Sequence, residues 1–230
     1  MIILIGASSG IGLKLINELI QYDNILATYN KKKINIKIKH KKNNLIIKKL
    51  DISNEKNIKK FVKDNNKILK RITFVNLATI SVDKLIVDLK SKDINKAFQI
   101  NSFSNILFAK HLIDKMIKDN FGRFVFFSST RASRGDAGIS LYSSSKSILK
   151  PLSKCISKEF GRFNITSNVI SLGYFDSPLL NNINEKIKKK LINQIPSKKI
   201  GKTKNISNII KTIIKSDYIS AAEIKIDGGL

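Results

Sequence analysis

The sequence predicts an α/β fold that is doubly wound around a mostly parallel sheet of about seven strands. Short apolar runs rich in Ile, Val and Phe recur along the chain, and segments with helical spacing, such as Ile11, Leu15 and Leu19, separate them. The runs are continuous rather than alternating, which is typical of parallel strands covered on both faces. The predicted strands are Ile2 to Ile5, Ile25 to Thr28, Leu45 to Leu50, Ile72 to Val75, Phe124 to Phe127, Ile165 to Ile170 and Ala222 to Ile226.

One domain is expected over residues 1–230, because this length suffices for a single sizeable core and nothing marks a second domain. The N-terminal apolar run ends at Gly6 and is too short for a signal segment. No apolar stretch approaches the roughly 18 residues that a membrane span needs. We therefore expect a soluble, cytoplasmic protein without a membrane partner.

Cysteine and histidine give no sign of a metal site. The single cysteine, Cys155, cannot form an internal disulfide or a cysteine metal cluster, which is consistent with a reducing compartment. We expect it to be a small buried apolar residue, since nothing in the sequence supplies it with a base. His40 and His111 lack metal-ligand spacing and are expected to be ordinary surface or core residues.

The chain is strongly basic, with 43 basic and 17 acidic residues and a formal net charge of +26. Such an excess of positive charge can bind a nucleic acid or an anionic membrane. Here it consists of Lys rather than Arg and is spread along the whole chain, together with abundant Ile and Asn. We interpret lysine runs such as residues 188–190 as solvated helix surface, and we expect no specific nucleic-acid partner.

Residues 31–44 are almost wholly Lys, Ile and Asn, in the place where the second crossover helix of the fold should lie. The alternation Ile34, Ile36, Ile38 suits a strand as well as a helix. We expect this helix to be short, irregular or partly replaced by a hairpin, and the segment to be a solvated connection.

A glycine-rich turn stands between the first predicted strand and the first predicted helix. Its glycines permit a tight turn and a close approach of the backbone to a pyrophosphate, while the helix N-terminus offers free amides and partial positive charge. The turn therefore predicts a Rossmann-type dinucleotide site. The predicted contacts are Gly6, Ser8, Ser9, Gly10, Ile11 and Gly12.

A second group of polar residues follows the fifth predicted strand. Ser129 stands at the end of that strand, and Tyr142 and Lys146 follow it. Four residues apart on a helix, Tyr142 and Lys146 share one face, with about 5 to 6 Å between their Cβ atoms. A nearby ammonium favours the phenolate and should lower the pKa of Tyr142, as general acid/base catalysis requires.

Together these motifs resemble those of the short-chain dehydrogenase/reductase family over essentially the whole chain. The turn has the family's glycine spacing, and Ser129, Tyr142 and Lys146 match its catalytic group. Asn101 resembles the asparagine that completes the family's catalytic tetrad. The resemblance implies cofactor contacts by Asp51, Ile52, Asn76, Ala78, Tyr142, Lys146, Gly173, Phe175 and Ser177.

Some positions depart from the family pattern without removing a reacting group. Leu77 and Thr79 replace Asn and Gly in the family's Asn-Asn-Ala-Gly segment, and Leu172 replaces a Pro. These departures concern the loop beneath the cofactor rather than the reaction class. Residues 193–201 most resemble the 3-oxoacyl-[acyl-carrier-protein] reductases, and we expect substrate specificity to lie in the loop and helices of residues 174–201.

The resemblance implies an NAD(P)-dependent oxidoreductase that transfers a hydride between a nicotinamide cofactor and a carbonyl or secondary alcohol, such as a 3-oxoacyl thioester or a sugar-type carbonyl. Tyr142 would give or take the hydroxyl proton, and Ser129 would hydrogen-bond the substrate oxygen. Lys146 would bind the nicotinamide ribose, and Asn101 would hold a relay water. Two other classes stay open: a non-catalytic dinucleotide sensor or scaffold, and a basic nucleic-acid-binding module.

The end of the second predicted strand favours NADPH over NADH. A site for NAD usually places an acidic residue there to bind the ribose 2′-hydroxyl, and none is present. Asn30 can instead donate to a 2′-phosphate, and Lys31 or Lys32 can neutralise it. The alternative is that these lysines only begin the basic run that follows, and Ser9 stands where several NADP-using relatives carry a basic residue.

A homo-oligomer, either a tetramer or a dimer, is also expected. The resemblance implies it, and the helices predicted around residues 106–117 and 149–160 carry apolar residues on more than one face.

Overall fold

The computed structural model describes residues 1–38, 43–176 and 184–230, and its strands form one parallel sheet. The order β3-β2-β1-β4-β5-β6-β7 confirms the doubly wound fold predicted from the sequence. The strands are β1 (Ile2–Ile5), β2 (Ile25–Tyr29), β3 (Leu45–Lys49), β4 (Ile72–Asn76), β5 (Gly122–Ser129), β6 (Ile165–Leu172) and β7 (Glu223–Ile226).

Helices connect the strands and cover the sheet. They are α1 (Gly10–Leu19), α2 (Glu55–Asn65), α3 (Ser91–Phe98), α4 (Ser104–Lys118), α5 (Thr130–Arg134), α6 (Ser140–Ser147), α7 (Leu149–Phe160), α8 (Glu185–Gln194) and α9 (Thr203–Lys215). A π-helical turn, Gln99–Phe103, joins α3 to α4. In the described ranges, none of the helices is both long and apolar enough to cross a membrane.

The sheet has a hydrophobic core on each face because successive side chains of a strand point to opposite sides. In β1, Ile3 and Ile5 pack on one side with apolar residues of α2, α4 and α7. Ile2 and Leu4 pack on the other side with α1 and α9. All four side chains are buried, which explains why this strand is a continuous apolar run.

The described part of the connection between β2 and β3 is irregular, as expected, but it is not purely solvated. Residues 33–38 have no regular helix or strand, and residues 39–42 lie outside the described part of the chain. Ile34 is buried, and Ile36 and Ile38 pack against the core on the α1 side. The segment is therefore not a purely solvated connection, because its alternating isoleucines cover that face of the sheet where a helix would otherwise do so.

The expectation that Cys155 is buried is wrong, because its side chain is exposed on α7. This helix turns Leu149, Ser153 and Ile156 toward the core, and Cys155 lies off that face. No group of ligands able to hold a metal ion occurs among the described residues, and His40 lies outside them.

The strand order places a topological switch between β1 and β4. These strands are neighbours in the sheet, with Ile5 opposite Asn76, but the chain leaves them toward different sides. Ligands of open α/β sheets bind in the crevice beyond the carboxyl ends of such strands. The glycine-rich turn after β1 and the loop after β4 both begin at that crevice.

Candidate active site

A cleft of about 700 Å³ opens at the carboxyl ends of the central strands. At one end it is lined by the turn before α1, and at the other by residues of β5 and α6. It therefore brings the predicted dinucleotide loop and the predicted catalytic group to one cavity. The lining residues are Ser8, Ser9, Gly10, Ile11, Lys32, Leu77, Thr79, Phe127, Ser128, Ser129, Tyr142, Lys146, Leu172, Gly173, Tyr174, Phe175 and Leu191.

The glycines of the turn allow two close backbone approaches. Gly6 has a φ of +73°, and a Cβ there would lie 2.7 Å from the backbone nitrogen of Ala78. A Cβ on Gly12 would lie 2.7 Å from the backbone of Ala7. Larger residues would push α1 away from β1 and β4, so these glycines hold the helix N-terminus at the cleft.

The N-terminus of α1 offers its amides to the cleft. Ser9 caps the helix, its hydroxyl accepting a hydrogen bond from the Gly12 amide at 3.0 Å. The amides of Gly10 and Ile11 precede the first intrahelical bond, in which the Leu13 amide donates to the Ser9 carbonyl. No acidic side chain stands in this first turn. The turn thus fits the anionic pyrophosphate of a dinucleotide.

The residues predicted to contact the adenosine half lie at the β2 and β3 edges. Asn30 and Lys31 are exposed after β2, and the next residue, Lys32, lines the cleft. Asp51 is exposed and accepts a hydrogen bond from the Ser53 amide at 2.9 Å. Ile52 is buried in the core between the sheet and α2. Of these predicted contacts, Asn30, Lys31, Asp51 and Ile52 lie outside the set of cleft-lining residues.

Asn76 fixes the loop that follows β4. Its side-chain oxygen accepts from the Ala78 amide, and its nitrogen donates to the side-chain oxygen of Asn105, both at 2.9 Å. Asn76 is almost fully buried. Asn76 therefore fixes the position of the Ala78 backbone. Gly6 of the glycine-rich turn packs against this backbone.

Asn101 lies in the π-helical turn and is fully buried. Its side-chain oxygen accepts from the Thr79 hydroxyl at 3.0 Å and from the Ile80 amide at 2.9 Å. Its nitrogen donates to the Ile80 carbonyl and the Ser145 hydroxyl, each at 2.9 Å. All hydrogen-bonding positions of the amide are filled by protein groups. The side chain thus joins the β4 loop to α6.

Tyr142 and Ser129 line the same part of the cleft as Thr79. The Tyr142 phenol is largely buried, which raises its pKa, while the neighbouring Ser129 and Thr79 hydroxyls act in the opposite direction by favouring the phenolate. Ser129 also caps α5, its oxygen accepting from the Arg131 amide at 3.2 Å. The site therefore holds a protonated phenol beside a second hydroxyl group at neutral pH.

Lys146 lies one helical turn beyond Tyr142 and is buried. Its ammonium donates to the Phe127 carbonyl at 2.8 Å, and burial lowers its pKa to about 8. The expectation that Lys146 lowers the pKa of Tyr142 is wrong for this structure. The ammonium points to the β5 backbone, and burial of the phenol is the largest influence on Tyr142.

Gly173 and Phe175 close the cleft at the end of β6. The Gly173 amide donates to the Ile226 carbonyl at 2.9 Å, and a Cβ there would collide with Asp227 at 2.7 Å. Phe175 is buried and forms an isolated β-bridge with Gly201. Ser177, the remaining predicted contact, lies outside the described residues.

The sequence matches the family model described as short chain dehydrogenase over residues 1–188. The chain belongs to the short-chain dehydrogenase family. A 3-oxoacyl-[acyl-carrier-protein] reductase of Buchnera aphidicola subsp. Baizongia pistaciae is 32% identical, covering 99% of this chain and 96% of the relative. A protein of the same name from Rickettsia typhi is 27% identical, with 98% and 94% covered. A short-chain dehydrogenase/reductase structure from Serratia marcescens superimposes with a TM-score of 0.88 at 22% identity, over 99% and 96% of the chains.

Membership of the short-chain dehydrogenase family makes this chain an oxidoreductase that uses a nicotinamide cofactor. The two alternatives, a non-catalytic sensor and a nucleic-acid-binding module, gain no support from these matches. The resemblance to the 3-oxoacyl-[acyl-carrier-protein] reductases, first noted on residues 193–201, extends over nearly the full chain.

Sequence reasoning missed several residues that line the dehydrogenase cleft. Leu77 and Leu172 were noted only as departures from the family pattern, and Leu191 of α8 was not singled out. Thr79 was also noted only as a departure, yet it donates a hydrogen bond to Asn101 and acts on the pKa of Tyr142. The sequence did contain one indication of this role, because Thr79 places a hydroxyl group where the family pattern has a glycine.

Proposed function

We propose that this short-chain dehydrogenase reduces a carbonyl group with NADPH, and that a 3-oxoacyl thioester is its substrate class. The observation that carries the proposal is that one continuous cleft is lined both by Gly10 and Ile11, at the N-terminus of α1, and by Tyr142 and Lys146. A dinucleotide bound along it would have its pyrophosphate at α1 and its reactive ring beside the Tyr142 phenol.

The bound nicotinamide would supply the hydride, and the chain's own residues would position the carbonyl and provide the proton. Tyr142 gives its phenolic proton to the carbonyl oxygen as that oxygen gains negative charge. Ser129 donates a hydrogen bond to the same oxygen and so stabilises the developing charge. The buried Lys146 ammonium, which the Phe127 carbonyl orients, would bind the nicotinamide ribose.

The raised pKa of Tyr142 is compatible with the role of proton donor in a reduction. A phenol that stays protonated at neutral pH is ready to act as an acid. The reverse reaction would require the phenolate, whose charge burial disfavours. Lys146, with a pKa of about 8, is mostly charged at neutral pH and can hold a ribose hydroxyl there.

The cofactor preference rests on the end of β2. Residues 29–33 carry no acid that could accept from a ribose 2′-hydroxyl. Lys32 lines the cleft, and Asn30 and Lys31 are exposed beside it. Of the two lysines considered, Lys32 is therefore the better candidate for neutralising a 2′-phosphate, with Asn30 and Lys31 as outer contacts.

Two observations support an acyl thioester as substrate. The relatives from Buchnera and Rickettsia are named 3-oxoacyl-[acyl-carrier-protein] reductases. The cleft is also lined by the apolar side chains of Leu77, Leu172, Phe175 and Leu191. Such a surface suits an acyl chain better than a sugar, whose hydroxyls would need polar partners.

The test is a panel of carbonyl substrates that includes an acetoacetyl thioester and a sugar-type carbonyl, with NADPH oxidation followed by absorbance. Turnover of the thioester at a higher kcat/KM than the sugar-type compound is the expected result. Tyr142→Phe serves as the matched inactive control. Consumption of NADPH that survives this substitution, or no consumption with any carbonyl, would contradict the proposal.

We also propose that the protein acts as a homo-oligomer, a dimer or tetramer, associated through α4 and α7. Phe103, the last residue of the π-helical turn, and Ile106, in the first turn of α4, are 47% and 42% exposed although both are large and apolar. A second copy of the chain would cover them. Light scattering at micromolar concentration is expected to give a multiple of the 25.9 kDa chain mass, and a monomer would contradict this.

A further inference from the structure

The Thr79 hydroxyl lies beside two members of the catalytic group. It donates to the side-chain oxygen of Asn101 at 3.0 Å, and it lies close enough to the Tyr142 phenol to favour the phenolate and so act against the rise in its pKa. Thr79 also lines the cleft. The family pattern has a glycine at this position, and a glycine has no side chain to make this contact.

Asn101 does not depend on Thr79 to satisfy its oxygen. That oxygen also accepts from the Ile80 amide at 2.9 Å, and the side-chain nitrogen is held by the Ile80 carbonyl and the Ser145 hydroxyl. A hydroxyl group has one proton to donate and rotates to suit its neighbours. The Thr79 proton can therefore leave Asn101 without leaving a buried acceptor unpaired.

We propose that Thr79 is a positioning residue for the reduction, and that its hydroxyl rotates from Asn101 toward the Tyr142 oxygen when Tyr142 gives up its proton. This inference rests on the proposed function. With the phenol protonated, Thr79 donates to Asn101 and can accept from Tyr142. Once the phenol proton has moved to the substrate oxygen, Thr79 donates to the phenolate and stabilises its charge.

Every bond that breaks in this step is matched by one that forms. The O–H bond of Tyr142 breaks, an O–H bond forms on the substrate oxygen, and the carbonyl carbon receives the hydride from the nicotinamide. Thr79 keeps its own proton throughout and changes only the acceptor of its hydrogen bond. The phenolate then regains a proton from solvent through the open side of the cleft.

Charged groups from neighbouring elements also act on the phenol. Arg131 of α5 favours the phenolate, and Asp83 of the loop after β4 opposes it. These two side chains lie 3.3 Å apart as an ion pair, so their effects on Tyr142 partly cancel. Lys146 shares the helix of Tyr142 but donates to the Phe127 carbonyl. The hydroxyls of Ser129 and Thr79 are the neutral groups that favour the Tyr142 phenolate.

The test compares Thr79→Val, which keeps the shape and removes the hydroxyl, with Thr79→Ser, which keeps the hydroxyl. In the valine variant we expect kcat to fall about tenfold, as for loss of one hydrogen bond to a charged group, with the KM for NADPH unchanged. The basic limb of the kcat profile should move to higher pH. The serine variant should keep both the rate and the profile.

A second measurement does not depend on turnover. Tyrosinate absorbance is titrated in the protein without cofactor, and the same titration of the Tyr142→Phe variant is subtracted, which isolates this phenol. In the Thr79→Val background the isolated titration should move to higher pH. An unchanged titration would overturn the inference, as would a serine variant that behaves like valine. If the wild type reduces no carbonyl, the proposed function fails, while the titration still decides whether Thr79 acts on Tyr142.

Discussion

Lys146 is a buried cation, so we expect its replacement to change the free energy of unfolding in a pH-dependent way. Its pKa is lowered by burial to about 8 from the ordinary 10.5. At 1.36 kcal/mol per pKa unit, this difference destabilises the fold by about 3 kcal/mol below pH 8. Lys146→Met removes the charge but also the hydrogen bond to the Phe127 carbonyl, which contributes about 1.5 to 3 kcal/mol. At pH 7 the variant should be as stable as the wild type or up to about 2 kcal/mol more stable.

The pH dependence gives the sharper prediction. The folded protein releases the Lys146 proton near pH 8, whereas the unfolded chain keeps it to about pH 10.5. Between these values the unfolded state binds more protons, so the stability of the wild type rises with pH relative to the variant. From pH 7 to pH 9.5 the gain is about 2 kcal/mol.

Urea unfolding followed by circular dichroism measures this gain in the protein without cofactor. The wild type and Lys146→Met are compared at both pH values. Lys154→Met, a substitution of an exposed lysine on α7, is the control and should show the same free energy difference at both. A gap between the wild type and Lys146→Met that stays constant with pH would refute the reasoning, because a buried charge could not then be its cause.

Three further predictions follow from the cleft. Tyr142→Phe should bind cofactor normally and lose about 10² to 10⁴ in kcat, and retention of more than about a tenth of the activity would exclude Tyr142 as the proton donor. Lys32→Glu should weaken NADPH binding in a fluorescence titration without weakening NADH, whereas Lys31→Glu should have the smaller effect; equal or tighter binding of NADH by the wild type would refute the NADPH preference. Gly6→Ala should destabilise the fold by at least about 1 to 2 kcal/mol in urea, because its φ is +73° and the added Cβ meets backbone at 2.7 Å; Gly161→Ala, which has open space, is the control and should not.

The sequence determined the strands and the reacting groups of this protein. The strands were visible as local apolar runs. The inner strands β1, β2 and β4 are buried at nearly every position, as parallel strands covered on both faces require, whereas the edge strands β3 and β7 are partly exposed. The glycine-rich turn and the spacing of Ser129, Tyr142 and Lys146 were local as well. These motifs could be recognised because the backbone geometry they require is set within a few residues.

Only the tertiary structure decided what surrounds those groups. Lys146 donates to a carbonyl 19 residues away, and Thr79 reaches Asn101 across 22 residues. Burial, which raises the pKa of Tyr142, depends on every element that packs around the cleft. The same reason explains why the segment containing buried Ile34 was expected to be solvated and why exposed Cys155 was expected to be buried. A residue's exposure depends on which other elements pack against it. A sequence pattern shows which side chains are apolar or reactive, whereas packing decides which of them meet.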